Sequence, residues 1–387
     1  MAALEGRWNF PTSVRFGRGR LRELPAACAE LNIRRPLLVT DRGLAASDIV
    51  RRALALVEDA GLPAALFAEV QGNPVEANVG DGLARLREGG HDGVVAIGGG
   101  SALDAAKCIA LMAGQTRPLM DFIDEGDNWT RVDPAATVPL IAVPTTAGTG
   151  SEVGRSAVVT EAATRTKRVI FHPIMTPPIV LADPELTLGL PPHLTAAVGM
   201  DALSHSLEAF CVDAYHPMAD GIALEGMRLV WHWLPKAVAD GNDIEARSNM
   251  LAAASMGAVA FQKGLGSMHA MSHPCSALFD THHGLTNAVL MPYVLAFNRP
   301  AIEPRLAVLA RVLGVAGFGG IMDAVLKLRS DIGIPHTLAE IGVPPDQAQI
   351  LAPLAHADPL TGLNPRPVSV AEYETLYAHA FAGTLPN

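Results

Sequence analysis

At 387 residues and a formal charge of -10, the chain is long for a single hydrophobic core, and it lacks the Lys and Arg excess that binding to nucleic acid or anionic lipid requires. A composition of 49% hydrophobic and 18% charged residues excludes disorder on a large scale. No apolar run reaches the roughly 18–20 residues that cross a bilayer, and the opening residues carry no secretory signal pattern. The expectation is a cytoplasmic protein acting on a small molecule, with neither nucleic-acid nor membrane partners.

In chain order, PLLVTD (36–41) reads as a strand followed by a helix. GVVAIGGGS (93–101) reads as a strand entering a Gly-rich turn, and LDAAKCIALMAG as the helix after it. VPLIAVPTT (138–146) and PPIVLAD (177–183) are further strands, and SAVVTEAATRTKRVIF between them reads as a hairpin. This alternation predicts a mainly parallel sheet covered by helices. After about residue 188 the strand signals fade and long Ala/Leu/Met-rich segments with helical spacing take over, from LTAAVGMDALSHSLEAFCV to RLAVLARVLGV. The prolines of DPELTLGLPPH (183–193) mark the boundary. Cys28, Cys108, Cys211 and Cys275 form no CxxC pair and read as reduced thiols packed as small apolar residues. Cys275 stands out because it sits among histidines.

GMDALSHSLEAF puts Asp201 and His205 four residues apart on one helix face, a spacing that suits two ligands to one ion. GSMHAMSHPCSALFDTHHG adds His269, His273, His282 and His283 within fifteen residues. Each pair alone is more simply a hydrogen-bonded or solvated pair. Three imidazoles and a carboxylate in two separated pairs raise a metal centre to an equal alternative, with zinc and ferrous iron both compatible. GGGS (98–101), following a strand and opening a helix, has the setting of a phosphate cradle, although a tight turn without ligand explains it too. TTAGTGSE (145–152) supplies hydroxyls and backbone in a second loop.

The ordered motifs GGGSALDAAK, PTTAGTGSEV, DPELT with LPP, GMDALSHSLEAF, and HAMSHPCSALFDTHHG with NAVLMPYV resemble the iron-containing (group III) alcohol dehydrogenases along nearly the whole chain. The resemblance implies an α/β N-terminal dinucleotide-binding domain, mainly parallel sheet, over residues 1–188. It also implies an all-α C-terminal metal-binding and catalytic domain over 189–387, a dehydroquinate synthase-like architecture with the active site in the cleft between. It carries the metal ligands onto Asp201, His205, His269 and His283, favouring iron(II) with zinc as the alternative. His273 resembles the histidine beside the nicotinamide and becomes the candidate proton relay, since imidazole titrates near neutrality. His282 stands where many members have proline and reads as an accident of the loop.

The resemblance implies that the cofactor is contacted by Asp41, at the family's ribose-reading position, and by Lys167, its hairpin lysine, and the other candidate contacts are Asn73, Gly99, Gly100, Ser101, Asp104, Thr145, Thr146, Thr149 and Leu186. Asp41, ending the first clear strand, would accept from a ribose 2′-hydroxyl and repel a 2′-phosphate, so NAD(H) is expected over NADP(H); a helix N-cap is the competing role. Arg155, Phe261 and Lys263 are the candidate substrate residues, the two cations suggesting a carboxylate-bearing substrate. The implied activity is hydride transfer between a small primary alcohol or hydroxy acid and nicotinamide, by a homodimer. The alternatives are a metal-independent maleylacetate-type reductase and a dehydroquinate synthase-like lyase.

Overall fold

The computed structural model describes residues 12–386, which fall into two compact units. The segment 1–11, assigned from sequence to the N-terminal domain, lies outside the described residues. Among the described residues, one unit comprises 12–146 and 150–188, and the other comprises 147–149 and 189–386. The reading from sequence put 147–149 with the strands, whereas this short loop groups with the helices. A Cβ on Gly148 would lie 2.7 Å from Cβ of Val198, an approach only glycine permits.

The first unit is built from β1 (Ser13–Phe16), α1 (Leu24–Glu30), β2 (Pro36–Asp41), α2 (Asp48–Asp59), β3 (Ala65–Val70), α3 (Glu76–Glu88), β4 (Gly93–Gly98), α4 (Gly100–Met112), β5 (Leu140–Pro144), β6 (Ser156–Glu161), β7 (Thr166–Phe171) and β8 (Ile179–Ala182). Six strands form one parallel sheet in the order β1-β8-β5-β4-β2-β3, and β6 and β7 form a separate antiparallel hairpin. Every residue of β4, β5 and β8 is buried, which is why these strands read as unbroken apolar runs. One face of the sheet closes over α1 and α2 with Leu24, Leu38, Val57, Val95 and Ile141. Burying each of these side chains stabilises by about 1.5–3 kcal/mol before the cost of ordering the chain.

The chain runs from β2 outward to β3, then returns to place β4 on the other side of β2. The strand order therefore reverses between β2 and β4. In open α/β sheets, ligands bind outside the carboxyl ends of the strands at such a switch point, here flanked by Asp41 and Gly98.

The second unit is helical: α5 (Pro192–Cys211), α6 (Pro217–Ala239), α7 (Ile244–Ala260), α8 (Ser267–Phe279), α9 (His283–Leu313), α10 (Gly317–Asp331), α11 (Ala348–Ala357) and α12 (Val370–Ala382). Helix α5 is buried over nearly all of its last four turns, and α6, α7 and α9 surround it. Among the described residues, no single helix is long and apolar enough to cross a membrane. All four cysteines are buried and free, and Cys275 lies outside the histidine cluster described below.

Candidate metal centre and cofactor cradle

Asp201 and His205 project from one face of α5, His269 from the first turn of α8, and His283 from the first position of α9. One ligand atom from each lies within 4.8 Å of all the others. Asp201 Oδ1 is 3.9 Å from His205 Nε2 and 3.8 Å from His283 Nε2. The His205 and His269 rings stack with centroids 4.9 Å apart. Asp201, His205 and His269 are buried, and His283 is half-buried. Two helices meet closely because residue 284 is glycine: a Cβ there would lie 2.6 Å from the Ala197 carbonyl and 2.8 Å from Asp201 Cβ. That contact gives the His-Gly pair of the sequence its physical reason.

Burial pushes the His205 pKa down to about 4, outweighing the neighbouring Asp201. Its imidazole is thus a neutral donor at physiological pH. Asn287, one turn beyond His283, directs Nδ2 at Asp201 Oδ1 (3.0 Å), His269 Nε2 (3.2 Å) and His283 Nε2 (3.2 Å). An amide nitrogen has two hydrogens for three acceptors, and Asn287 Oδ1 is buried without a partner. A buried carboxylate facing three nitrogens and one over-shared amide is a donor set short of positive charge. Three imidazoles and a carboxylate suit a divalent cation, so the residues fit the metal that the fold implies.

His273 lies one turn after His269, with its ring stacked at 5.5 Å on that of His283. Its Nδ1 is 2.7 Å from Oδ2 of Asp358, a residue sequence reasoning missed. Burial raises the Asp358 carboxyl, but the His273 pairing and the Leu360 N–H outweigh it and hold it below the usual carboxylate range. His282 is exposed and caps α9, accepting from Leu285 N, in keeping with a loop role. Phe261 packs its ring edgewise on His205 at 5.1 Å.

Lys263, a candidate substrate residue, turns its side chain into the protein. Its side chain is sealed, with Nζ on Asp220 Oδ1 (2.7 Å) and the Phe210 carbonyl (3.4 Å), and Arg305 joins the same two acceptors. With its side chain fully buried, the ammonium is held inside the helical unit and is not presented to a substrate carboxylate. Arg155 is half-buried, its guanidinium 5.3 Å over the Phe171 ring.

In the α/β unit the cradle is made chiefly by what is missing. Gly98 adopts φ 152°, and a Cβ there would stand 2.6 Å from that of Ala102 and 3.1 Å from Asp41 Oδ2. Gly99 is the N-cap of α4 with no side-chain cap, leaving first-turn N–H groups, including those of Gly100 and Ser101, for an anion. Thr145 N donates to the Gly98 carbonyl, and Thr146 packs where a Gly99 side chain would be, so the ends of β4 and β5 lie together. Asp41 Oδ1 accepts from Leu44 N within a turn, while α2 is N-capped by Ser47, so Asp41 is not the helix N-cap that the sequence allowed; its Oδ2 faces Gly98. Asn73 occupies the left-handed region (φ 50°) in the turn after β3, and Lys167 lies opposite Thr160 in the hairpin. Thr149 belongs to the helical unit.

Two more of the cofactor candidates have structural roles within this unit. Both Asp104 oxygens are engaged, by Ser151 Oγ and Val158 N, so its carboxylate braces the loop after β5. Leu186 is buried in the sheet's core. Lys107, unnoticed in the sequence, is fully buried and donates Nζ to the carbonyls of Ser151, Gly154 and Ser156, tying that loop to α4. Burial lowers its pKa, and Asp104 opposes the shift.

Residues 11–184 match the family model for iron-containing alcohol dehydrogenase, and residues 195–381 match that for the C-terminal part of the Fe-containing alcohol dehydrogenase family. The chain belongs to the iron-containing alcohol dehydrogenase family. It is 42% identical to a 4-hydroxybutyrate dehydrogenase of Cupriavidus necator, covering 94% of this chain and 97% of that protein. It is 36% identical to an NAD-dependent methanol dehydrogenase of Bacillus methanolicus, covering 96% and 98%. A crystal structure of a 1,3-propanediol oxidoreductase superposes with a TM-score of 0.92 at 34% identity, covering 97% of this chain and all of that one. Membership makes this chain an oxidoreductase and bears out the expected family and fold, and it does not favour the lyase or the metal-independent reductase.

Proposed function

We propose that this member is a divalent-metal-dependent, NAD-linked alcohol dehydrogenase, also working in reverse as an aldehyde reductase. The observation that carries the reading is the convergence of Asp201, His205, His269 and His283 within 4.8 Å. A metal-independent reductase would have no use for four converging donors, three of them buried. The family and the NAD-dependent relative support nicotinamide, and the family's name favours iron(II), with zinc accepted by the same donors.

When bound, the metal would supply a Lewis acid for the alcohol or carbonyl oxygen, and NAD(H) the hydride acceptor or donor. The protein's own contribution is arrangement. The β4–α4 turn offers backbone N–H groups to the pyrophosphate, and Asp41 at the switch point accepts from a ribose hydroxyl and disfavours a 2′-phosphate. Asp358 accepts from His273 Nδ1–H, so Nε2 is the ring nitrogen left to receive or deliver the substrate hydroxyl proton. The 42% identical relative suggests a hydroxy acid of short chain as substrate. With Lys263 spent on Asp220, that substrate's carboxylate must be read by another group, and Arg155 is the remaining candidate. On family likeness alone we place the enzyme in the cytoplasm as a homodimer.

The test is NADH consumption with paired short aldehydes, one bearing a terminal carboxylate and one neutral. Steady turnover that stops on chelation and returns with iron(II) or zinc(II) is expected. Turnover indifferent to chelation would contradict the reading.

A further inference from the structure

We infer that Glu208 is the positioning residue of the metal centre: it fixes His269 in its metal-ready tautomer and supplies the second negative charge that matches a divalent ion. The inference rests on the metal reading above and concerns a residue outside the four-ligand set.

Glu208 lies seven residues after Asp201 and three after His205, so all three side chains share one face of α5. It is 6% exposed, and both of its oxygens are committed to α8. Oε1 accepts from Met268 N at 2.7 Å, and Oε2 lies 2.6 Å from His269 Nδ1. A carboxylate accepting at both oxygens has no hydrogen to give, so His269 carries its proton on Nδ1. Its Nε2 lone pair is thereby turned toward the ligand cluster. Gly266, the N-cap residue of α8, makes the approach possible, because a Cβ there would lie 3.1 Å from Glu208 Oε1.

Ser272 acts in the same sense on His283. Its hydroxyl donates to the His269 carbonyl (3.2 Å), which leaves its oxygen to accept from His283 Nδ1–H (3.2 Å). The charges then close. Asp201 and Glu208 contribute two negative charges, imidazoles that ligate a metal add none, and a divalent cation brings the sum to zero. Without Glu208 the loaded site would hold a buried net charge of one, which a low-dielectric interior disfavours.

The conservative variant E208Q is informative because glutamine cannot serve both donors. With its oxygen toward Met268 N, its NH2 faces His269 Nδ1 and favours the wrong tautomer; with its oxygen toward His269, the NH2 opposes Met268 N–H. Full-length wild type, E208Q and S272A are stripped by chelation and titrated with cobalt(II) or zinc(II) against a competing chromophoric chelator. ¹⁵N spectra of the metal-free proteins report the tautomer of His269. The expected result is a single Nδ1–H form in wild type and weakening of metal affinity in E208Q by about 10–100-fold, with a smaller loss in S272A. E208Q affinity within about twofold of wild type, below that range, overturns the inference, as does a wild-type His269 protonated on Nε2. The tautomer reading needs no variant, so it decides even if E208Q fails to fold. A wild-type chain that takes up no divalent ion instead overturns the functional reading beneath.

Discussion

On the function proposed above, the two units hold their ligands in opposite ways. In the helical unit the site is made of side chains: four donors projected from three helices, two of which, His269 and His283, are aimed by Glu208 and Ser272 on their far sides. In the α/β unit it is made of backbone, and the decisive residues are those without side chains, Gly98 and Gly99 at the turn where β4 becomes α4. A side-chain site fails by losing one donor; a backbone site fails by gaining one atom. This difference orders the expected effects of mutation.

The largest belongs to the helical unit. His269→Ala removes one ligand and leaves Glu208 buried without its partner, so metal content should fall to background. kcat/KM should drop at least about a thousandfold, the several kcal/mol a Lewis acid contributes. Elemental analysis and steady-state kinetics check both. His273→Asn should keep the metal yet lower kcat on the order of a hundredfold, the lower range for general acid–base catalysis.

The pairing of His273 with Asp358 adds a pH signature. Because the Asp358 carboxyl is held below its usual range, its tie to His273 persists above the lowered pKa and is lost only as pH falls through it. Asp358→Asn should shift the acid limb of the kcat profile, and an unchanged limb would remove Asp358 from the account.

In the backbone site, Gly98→Ala meets both a φ of 152° and a 2.6 Å contact with Ala102, and should cost about 1–3 kcal/mol in denaturant unfolding. NADH binding should weaken with it. Asp41→Asn should be gentler: the fold tolerates it, and the ratio of NADH to NADPH affinity should fall by about tenfold as the charge that repels a 2′-phosphate disappears. The smallest effect is an absence. Burial pushes Cys28 up to about 11 and Cys211 and Cys275 to about 12, so native protein should resist alkylation at neutral pH until it unfolds.

What was legible in the sequence follows the same division. The buried strands β4, β5 and β8 read clearly because both faces are apolar, and the four donors stood out because imidazoles are rare in Ala/Met-rich helices. Strand β1 escaped because its four residues are mostly exposed, and β3 because ALFAEV alternates only weakly. Helix α9 read as separate pieces because it carries Pro292, Pro300 and Pro304, each locally unfavourable to a helix interior; its packing against α5, α8 and α10 overrides them. Glu208, Lys107 and Asp358 were invisible because their roles depend on partners 61, 44 and 85 residues away. Glu208 alone left a trace, its i+7 relation to Asp201. Lys263 misled for the same reason in reverse, since Asp220 lies 43 residues from it.

The most direct measurement is an anomalous difference map from crystals of protein loaded anaerobically with iron(II), or with zinc(II). The account predicts one peak per chain, about 2.0–2.2 Å from an Asp201 oxygen and the Nε2 atoms of His205, His269 and His283. A peak outside this cluster, or none despite stoichiometric metal in solution, would contradict it.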